Sequence, residues 1–202
     1  MKLKNTFAGN RRDLSRGFST LEIMVSLAVI LILGAIASPL VVRTLQTYQL
    51  NDKATRLAGL VKLTRFEAIR TNTRVRLGLV QAGGQWTVWK DTIANGTPDA
   101  SEVQEVFSEP ATLLPGAAAP NPAPIAATVG TLNLSVVSGA NGAIAFDARG
   151  AVDYGGGPPA VYVLYVGSAT NPQAGYRAVV VLPSGATQVW TSTSAGDWQR
   201  TS

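Results

Sequence analysis

The sequence contains no cysteine and no histidine. A chain without cysteine forms no disulfide bond and offers no thiolate nucleophile. The two absences together exclude Cys–His and Ser–His catalysis and disfavour a typical zinc site. Asp147 and Asp153 come nearest to a pair of catalytic carboxylates, but they flank a predicted turn and need no chemistry to explain them. We therefore predict a protein that is not an enzyme and binds neither a cofactor nor a metal.

Charged residues are missing between Ile23 and Val42, where 20 apolar or small residues follow one another. As a helix, this run is about 30 Å long at ~1.5 Å per residue, the thickness of the hydrocarbon core of a bilayer. The first 17 residues hold five basic residues and one acid: Lys2, Lys4, Arg11, Arg12, Arg16 and Asp13. This pattern predicts a membrane-spanning helix with its N-terminus in the cytoplasm.

A cleaved secretory signal is the alternative interpretation of the same run. Such a signal has an apolar core of about 7–15 residues followed by a small-residue cleavage site. The Ala35–Ala37 segment has the small-x-small pattern of that site. The apolar character continues through Pro39 to Val42, however, so we predict that the helix is retained.

Glu22 lies at the start of the apolar run, where an acid is costly unless it stays hydrated at the headgroup level or has a specific partner. Gly17, Phe18 and Glu22, after a short basic leader, resemble the class III signal of type IV pilins and type II secretion pseudopilins. The resemblance implies that a prepilin peptidase cleaves after Gly17 and that Phe18 is then N-methylated. It also implies that Glu22 pairs with the N-terminal amine of a neighbouring subunit. Pro39 falls where pilins commonly carry a helix-bending proline.

The net charge of +5 and the isoelectric point of about 9.8 suggest a nucleic-acid partner at first sight. The predicted leader, however, holds five basic residues and one acid, so 12 basic and 11 acidic side chains follow it. Residues 43–76 carry eight Lys or Arg and two acids, whereas residues 90–202 carry four and eight. This polarity suits head-to-tail packing or lipid headgroup contact as well as it suits DNA.

The apolar run continues into an amphipathic pattern without a further proline. Apolar residues recur three or four positions apart and form one predicted stripe: Leu50, Ala54, Leu57, Ala58, Val61, Ala68 and Ile69. Basic residues lie on or beside the opposite face: Lys53, Arg56, Lys62, Arg65 and Arg70. We predict one helix from about Phe18 to Thr71, ended by Asn72.

The rest of the chain has the pattern of seven to nine strands separated by turn residues. The candidate strands are Arg74–Val80, Trp86–Lys90, Glu102–Ser108 (as an edge strand), Thr131–Val137, Ala143–Phe146, Ala151–Tyr154, Val161–Val166, Tyr176–Leu182 and Thr187–Thr191. The 110–127 segment holds five prolines among many alanines and is predicted as a surface loop or a partner-binding loop. Trp198 is expected to pack back on the domain.

Segregation of helix and strands predicts an α+β fold. In it, a long N-terminal helix, membrane-spanning in its first half and amphipathic in its second, packs on an antiparallel β-sheet domain. The predicted boundaries are a leader at 1–17, a transmembrane or filament-core helix at 18–42, its amphipathic continuation at 43–72 and a β domain at 73–202.

Two further stretches resemble one branch of the pilin superfamily, the pseudopilin H or FimT/FimU-like minor subunits. One is Leu63–Asn72 followed by Arg74 and Val75; the other is Ala143–Gly150 with the later Tyr176–Gly185. Some members of the branch bind DNA through a Gly-Arg-x-Arg motif. The corresponding Gly185–Gln188 segment lacks both arginines, which disfavours DNA binding by that route.

A basic cluster remains as a possible DNA or partner patch: Arg65, Arg70, Arg74 and Arg76. A solvated or subunit-facing patch is the favoured interpretation, since no aromatic residues are interleaved with it.

The resemblance implies a minor pseudopilin, a structural subunit of the type II secretion filament that takes part in protein secretion across the outer membrane. The implied partners are the prepilin peptidase, other pilin or pseudopilin subunits and inner-membrane lipid, with secreted cargo or the outer-membrane secretin as further possibilities. The implied location is the bacterial inner membrane, with a periplasmic domain that joins a filament. A minor pilin of a type IV pilus, acting in pilus assembly, twitching or DNA uptake, is the alternative.

Overall fold

The computed structural model describes residues 18–114, 122–130, 132–133, 137–138, 140–193 and 196–201. The predicted leader at 1–17, including Gly17, lies outside the described residues. The chain divides into two units, one up to Val41 and one from Val42 onward.

A single helix, α1, runs from Thr20 to Thr71 and contains Pro39. Its end is set by Asn72, which has a left-handed backbone with φ 51°. The Asn72 N–H donates to the Ile69 carbonyl at 3.3 Å, and the Thr73 N–H donates to the Ala68 carbonyl at 3.2 Å. These two bonds form a Schellman motif, which satisfies carbonyls that the last helical turn leaves unpaired. The predicted end of the helix is therefore confirmed.

Twelve strands and a second helix lie within the described residues after α1. In chain order they are β1 (Val75–Ala82), β2 (Gln85–Asp91), β3 (Gln104–Phe107), β4 (Thr112–Leu114), α2 (Ala123–Val129), β5 (Leu132–Asn133), β6 (Val137–Ser138), β7 (Asn141–Phe146), β8 (Val152–Asp153), β9 (Val161–Gly167), β10 (Tyr176–Val181), β11 (Thr187–Ser192) and β12 (Trp198–Arg200).

The strands form two sheets. The first has the order β3-β2-β1-β7-β6, with β8 also paired to β7; the second has the order β12-β11-β10-β9-β4, with β5 also paired to β9. Only the short β5–β9 pair is parallel among the described pairings. The predicted α+β class is confirmed, with two antiparallel sheets where the sequence indicated one. The predicted edge strand is β3, and the predicted strand at 131–137 lies partly outside the described residues.

The second half of α1 packs one stripe of side chains into the main core. The buried helix residues are Leu50, Ala54, Leu57, Ala58, Leu60, Val61, Thr64 and Ala68. They join one face of each sheet in a continuous apolar cluster. Ile69 was predicted in this stripe, but it is 41 % exposed because it lies at the stripe's margin.

A second, smaller core covers the other face of the second sheet. Strand alternation divides β10 between the two cores: Val179 and Val181 face the main core, whereas Ala178 and Val180 face the smaller one. Trp198 is buried in this smaller core, as the sequence indicated.

The predicted loop at 110–127 is wrong in two places. Strand β4 is buried and pairs with β9, and helix α2 begins inside the predicted loop. Proline disfavours a helix interior, but Pro124 lies in the first turn of α2, where no intrahelical N–H bond is lost. Ile125 is fully buried in the smaller core, so burial offsets the poor local propensity. Residues 115–121 of the predicted loop lie outside the described residues.

Candidate functional site

The first part of α1, from Thr20 to Val41, exposes its side chains on every face. Ile30 and Leu31 are 65 % and 67 % exposed, and no described residue up to Val41 is buried. By length and composition this helix can cross a membrane, and it is the candidate span among the described residues. One long apolar helix near the N-terminus fits a single-pass membrane anchor.

Glu22 lies in the first turn of this helix, three residues after the capping residue Ser19. The Glu22 N–H donates to Ser19 Oγ at 3.2 Å, and the Ile23 N–H donates to the Ser19 carbonyl at 3.2 Å. Ser19 and Glu22 have the spacing of a capping box, and a carboxylate there also opposes the positive end of the helix dipole. The Ser-x-x-Glu pattern was visible in the sequence, but the sequence analysis missed this local role.

The carboxylate of Glu22 is exposed and makes no ion pair with any described residue. Phe18 is 77 % exposed. Two of the three residues of the predicted signal therefore lie at an open helix end, whereas Gly17 is outside the described part of the chain. The carboxylate remains available to a partner, because only backbone groups of Glu22 take part in the cap.

Arg74 and Arg76, from the predicted basic patch, lie near each other but are each paired with an acid. Arg74 Nε lies 2.6 Å from Asp153 Oδ2, and an Arg76 guanidinium nitrogen lies 2.7 Å from Asp91 Oδ2. Arg74, Arg76 and Asp91 line one cavity of about 260 Å³. The Asp91 carboxylate is buried and also accepts from the Gly96 N–H at 3.2 Å. These contacts neutralise the two arginines within the domain.

The other two residues of the predicted patch lie elsewhere on α1. Arg65 Nε donates to the Gly150 carbonyl at 2.9 Å. Arg70 is hydrogen-bonded to Glu67, and this bond lowers the pKa of Glu67 below its usual range, with a smaller contribution from Lys90. The structure therefore does not bring the four predicted arginines together into one free cationic surface.

Most basic residues beyond the apolar run of this unevenly charged sequence form ion pairs or hydrogen bonds inside the domain. Lys53 Nζ lies 2.7 Å from Glu105 Oε1, and Lys90 Nζ lies 3.3 Å from Glu67 Oε2. Lys53, Arg74 and Arg76 thus pair with acids elsewhere in the domain, whereas Lys90 of β2 pairs with an acid of the helix. Most of this charge therefore has an intramolecular partner.

Glu102 is a buried acid that the sequence analysis missed. Its Oε1 accepts from the backbone N–H groups of Thr92 at 2.7 Å and Ile93 at 3.1 Å, and its Oε2 accepts from Asp99 N–H at 3.3 Å. The carboxylate thus organises the loop between β2 and β3. No group of three or more acids among the described residues could hold a metal ion.

The two stretches that resemble the pseudopilin H branch meet in space. The Val152 N–H donates to the Pro183 carbonyl at 2.9 Å. A Cβ at Gly185 would lie 2.0 Å from the Gly150 carbonyl oxygen, and Gly185 has a left-handed φ of 78°. Only glycine fits this close approach of two turns. Arg65 reaches the same place from α1, so the contact links the helix to the two sheets.

Arg177 is the most unusual polar residue that the sequence analysis missed. It lies in the central strand β10 and is only 6 % exposed. Its Nε donates to Asn51 Oδ1 at 2.6 Å, and another guanidinium nitrogen donates to the Tyr176 carbonyl at 2.8 Å. Burial lowers the pKa of Arg177 from its ordinary value. A single arginine inside the apolar run Tyr176–Leu182 was the sequence signal that could have identified it.

Residues 53–185 match the model of the protein family described as type II transport protein GspH. No curated protein and no solved structure matches the chain. The family match covers more than half of the chain, including both branch-specific stretches, and begins after the apolar part of α1. GspH is a family of structural pseudopilins rather than enzymes. The chain therefore belongs to the GspH family of type II transport proteins.

Proposed function

We propose that this protein is a minor pseudopilin, a structural subunit of the type II secretion filament. The observation that carries the proposal is the continuity of α1. One helix begins as an exposed apolar segment and continues into the core of a domain that belongs to the GspH family. A protein of this kind has an element to bury in a membrane or filament and a domain to present outside it.

In this proposal the membrane and the filament are successive environments for the same apolar segment. Burial of an exposed aliphatic side chain contributes roughly 1.5–3 kcal/mol. Side chains such as Ile30, Leu31 and Leu33 are more than half exposed in the single chain. Their burial against the helices of neighbouring subunits keeps them out of water and so offsets the cost of leaving the lipid.

Processing precedes assembly in this proposal. The prepilin peptidase cleaves after Gly17 on the cytoplasmic face, and Phe18 becomes the methylated N-terminus. The cleavage site lies before the apolar run, so the run is retained. The N-terminus of the leader is cytoplasmic, the helix lies in the bacterial inner membrane, and the domain from residue 73 is periplasmic.

Glu22 supplies the specific contact of assembly. Its backbone N–H is already satisfied by Ser19, whereas its carboxylate has no ion-pair partner among the described residues. In a low-dielectric filament core, an amine and a carboxylate that face each other cost far less than either alone. The free amine of Phe18 in a neighbouring subunit is the proposed partner, which also orders neighbouring helices along the filament axis.

The first experiment expresses the full chain in its native host with and without the prepilin peptidase. Intact mass and N-terminal sequencing should find a chain that begins at methylated Phe18 only when the peptidase is present. A chain that keeps its leader, or one cleaved after Ala37, would contradict the proposal.

Deletion of the gene should block secretion through the type II pathway. Normal secretion with lost twitching or DNA uptake would instead assign the subunit to a type IV pilus.

The second experiment separates the two roles of Glu22. Glu22→Gln removes the charge but retains a residue that a capping box accepts, whereas Ser19→Ala removes the cap and retains the charge. We expect Glu22→Gln to be processed but not assembled into filaments, and Ser19→Ala to be assembled. Sedimentation of sheared filaments measures both. Equal assembly of Glu22→Gln and the wild type would refute the proposed charge pair.

A further inference from the structure

Arg177 occupies a core position without an acidic partner. It lies on the same face of β10 as Val179 and Val181, the face that packs toward helix α1. It donates hydrogen bonds to a side-chain amide oxygen and a backbone carbonyl, both neutral. Among the described residues, no carboxylate lies within 4.0 Å of its guanidinium. A buried cation without a counter-charge destabilises a fold, so its presence there requires another reason.

A groove lies beside Arg177, between helix α1 and strands β10 and β11. Its volume is about 560 Å³. Small residues of the helix, Ala54, Ala58 and Gly59, line one wall and leave the space beside them unfilled. Lys62 lines the same groove from the helix, is exposed, and makes no ion pair with any described residue.

A second cavity of about 390 Å³ shares Arg177 and Thr191 with the groove. Asp197 lines this second cavity, but it is exposed and forms no ion pair with Arg177 in the described structure. The groove itself therefore contains two cations and no acid among its lining residues.

We propose that this groove binds an Asp or Glu side chain of a neighbouring filament subunit, with Arg177 and Lys62 as its two cationic contacts. This inference rests on the proposed function, because the occupant is another pseudopilin. The guanidinium group is suited to a carboxylate, since its planar fork can donate two parallel hydrogen bonds. The groove has room for an inserted side chain, and its unpaired charge is complementary to an acid.

The position of the groove favours a protein occupant over a lipid headgroup. Its helical wall begins at Asn51, beyond the apolar run that ends at Val42. Its other wall is formed by strands of the folded domain. An acid that enters the groove completes the ion pair which Arg177 lacks, so docking depends on the identity of the neighbour and not only on apolar contact.

The test is photo-crosslinking of the full chain in membranes of the native host, with a photoreactive residue at Thr55. Thr55 is exposed and lines the groove. We expect a crosslink to another pseudopilin, mapped by mass spectrometry to within a few residues of an Asp or Glu. Replacement of that acid by its amide should reduce the crosslink at least tenfold. Arg149→Gln, which removes an exposed arginine from a turn, is the matched control and should leave the crosslink unchanged.

Two variants keep the test independent of folding. Arg177→Met replaces a buried charge by an apolar side chain of similar length, which removes the desolvation cost and two hydrogen bonds together, so the domain should remain folded while the crosslink is lost. Gly59→Leu places a side chain toward open space, because a Cβ at Gly59 meets nothing within 4 Å. This variant should remain folded, fill the groove and also lose the crosslink.

Three results would overturn the inference. They are an undiminished crosslink in folded Arg177→Met, a crosslink at Thr55 to lipid only, and no crosslink at Thr55. A second photoreactive position at Leu31, in the apolar part of α1, distinguishes failure of the groove inference from failure of the proposed function. Pseudopilin crosslinks at Leu31 but not at Thr55 would refute the groove and leave the proposed function intact. Crosslinks at neither position would refute both.

Discussion

The two parts of helix α1 have the same secondary structure but opposite exposure. Leu31, in the first part, is 67 % exposed, whereas Leu57, in the second, is fully buried. The first part is apolar on every face, while the second alternates apolar and charged residues around the helix. The comparison shows that hydrophobicity alone does not locate a residue in the core of its own chain. A helix that is apolar on every face must be covered by lipid or by other chains. A helix that is apolar on one face needs only one packed layer to bury that face.

This difference assigns domain stability to the second part of helix α1 and membrane insertion and assembly to the first. The second part contributes to the free energy of unfolding of the domain, because its stripe joins the main core. The first part contributes to membrane insertion and, in our proposal, to filament contacts. Matched substitutions in the two parts of the helix test whether stability and assembly are separate in this way.

The largest expected effect is on domain stability. Leu57→Ala removes a fully buried side chain and should lower the free energy of unfolding by about 2–5 kcal/mol. Leu31→Ala should leave the same transition unchanged, because Leu31 contacts no core. Denaturant unfolding of the full chain in detergent micelles measures both. A similar loss in the two variants would show that the separation is false.

The second effect is on membrane association. Leu31→Arg places a charge near the middle of the apolar run, at a cost of roughly 3 kcal/mol on insertion scales. Leu63→Arg is the matched control, because Leu63 is 51 % exposed in the second part of the helix. Alkaline extraction of membranes should release the first variant and retain the second. Equal retention would argue against the apolar part as the membrane anchor.

A smaller effect concerns two helical glycines, Gly34 and Gly59. A Cβ at either position meets nothing within 4 Å, so alanine fits without a clash. Gly59→Ala should stabilise the domain by about 0.5–1 kcal/mol, since alanine loses less backbone entropy in a helix than glycine. Gly34→Ala should not change unfolding of the domain. Denaturant midpoints measure both effects, provided that the slope of unfolding free energy against denaturant concentration is the same in each variant. A higher midpoint for Gly34→Ala would show that the two parts of helix α1 are energetically coupled.

The smallest effect is the pH dependence contributed by Glu67, on the charged face of the second part. Its hydrogen bond from Arg70, and secondly from Lys90, holds its pKa below the ordinary value. The unfolded state therefore takes up the proton first. The stabilisation is complete above the unfolded pKa, near 4.5, and is lost as the pH falls through the lower folded pKa.

Because the Arg70 partner is largely exposed, we expect only a small contribution to the free energy of unfolding from this interaction. The difference in unfolding free energy between the wild type and Glu67→Gln should shrink between pH 6 and roughly pH 3. A difference that is constant with pH would assign the effect of Glu67→Gln to packing instead.

Elements with strong local signals were predicted well. The apolar run, the stripe after it and the left-handed Asn72 together located α1 to within two residues at its start and at its end. The predicted strands Tyr176–Leu182 and Thr187–Thr191 are β10 and β11, and each differs from its prediction by one residue at its end. In these cases, local propensity and tertiary packing agree.

The error in the predicted 110–127 loop lies where distant contacts override local propensity. Helix α2 forms in a proline-rich segment because Ile125 is buried under the second sheet. The four arginines of the predicted patch have the right composition for a cationic surface. Their partners, such as Asp91 and Asp153, are far away in the sequence, so pairing could not be seen from the sequence alone.

The sequence was sufficient for the features that depend on neighbours along the chain. These are the single apolar helix, the strand-rich remainder and the absence of thiol and imidazole side chains, while the signal that Gly17 and Glu22 resemble stays a prediction. Only the tertiary structure decided which charges are free. Arg76 is neutralised by a buried acid, whereas Arg177 faces a groove without one. The physical reason is that electrostatic pairing depends on distance in space, and folding brings together residues that the chain keeps far apart.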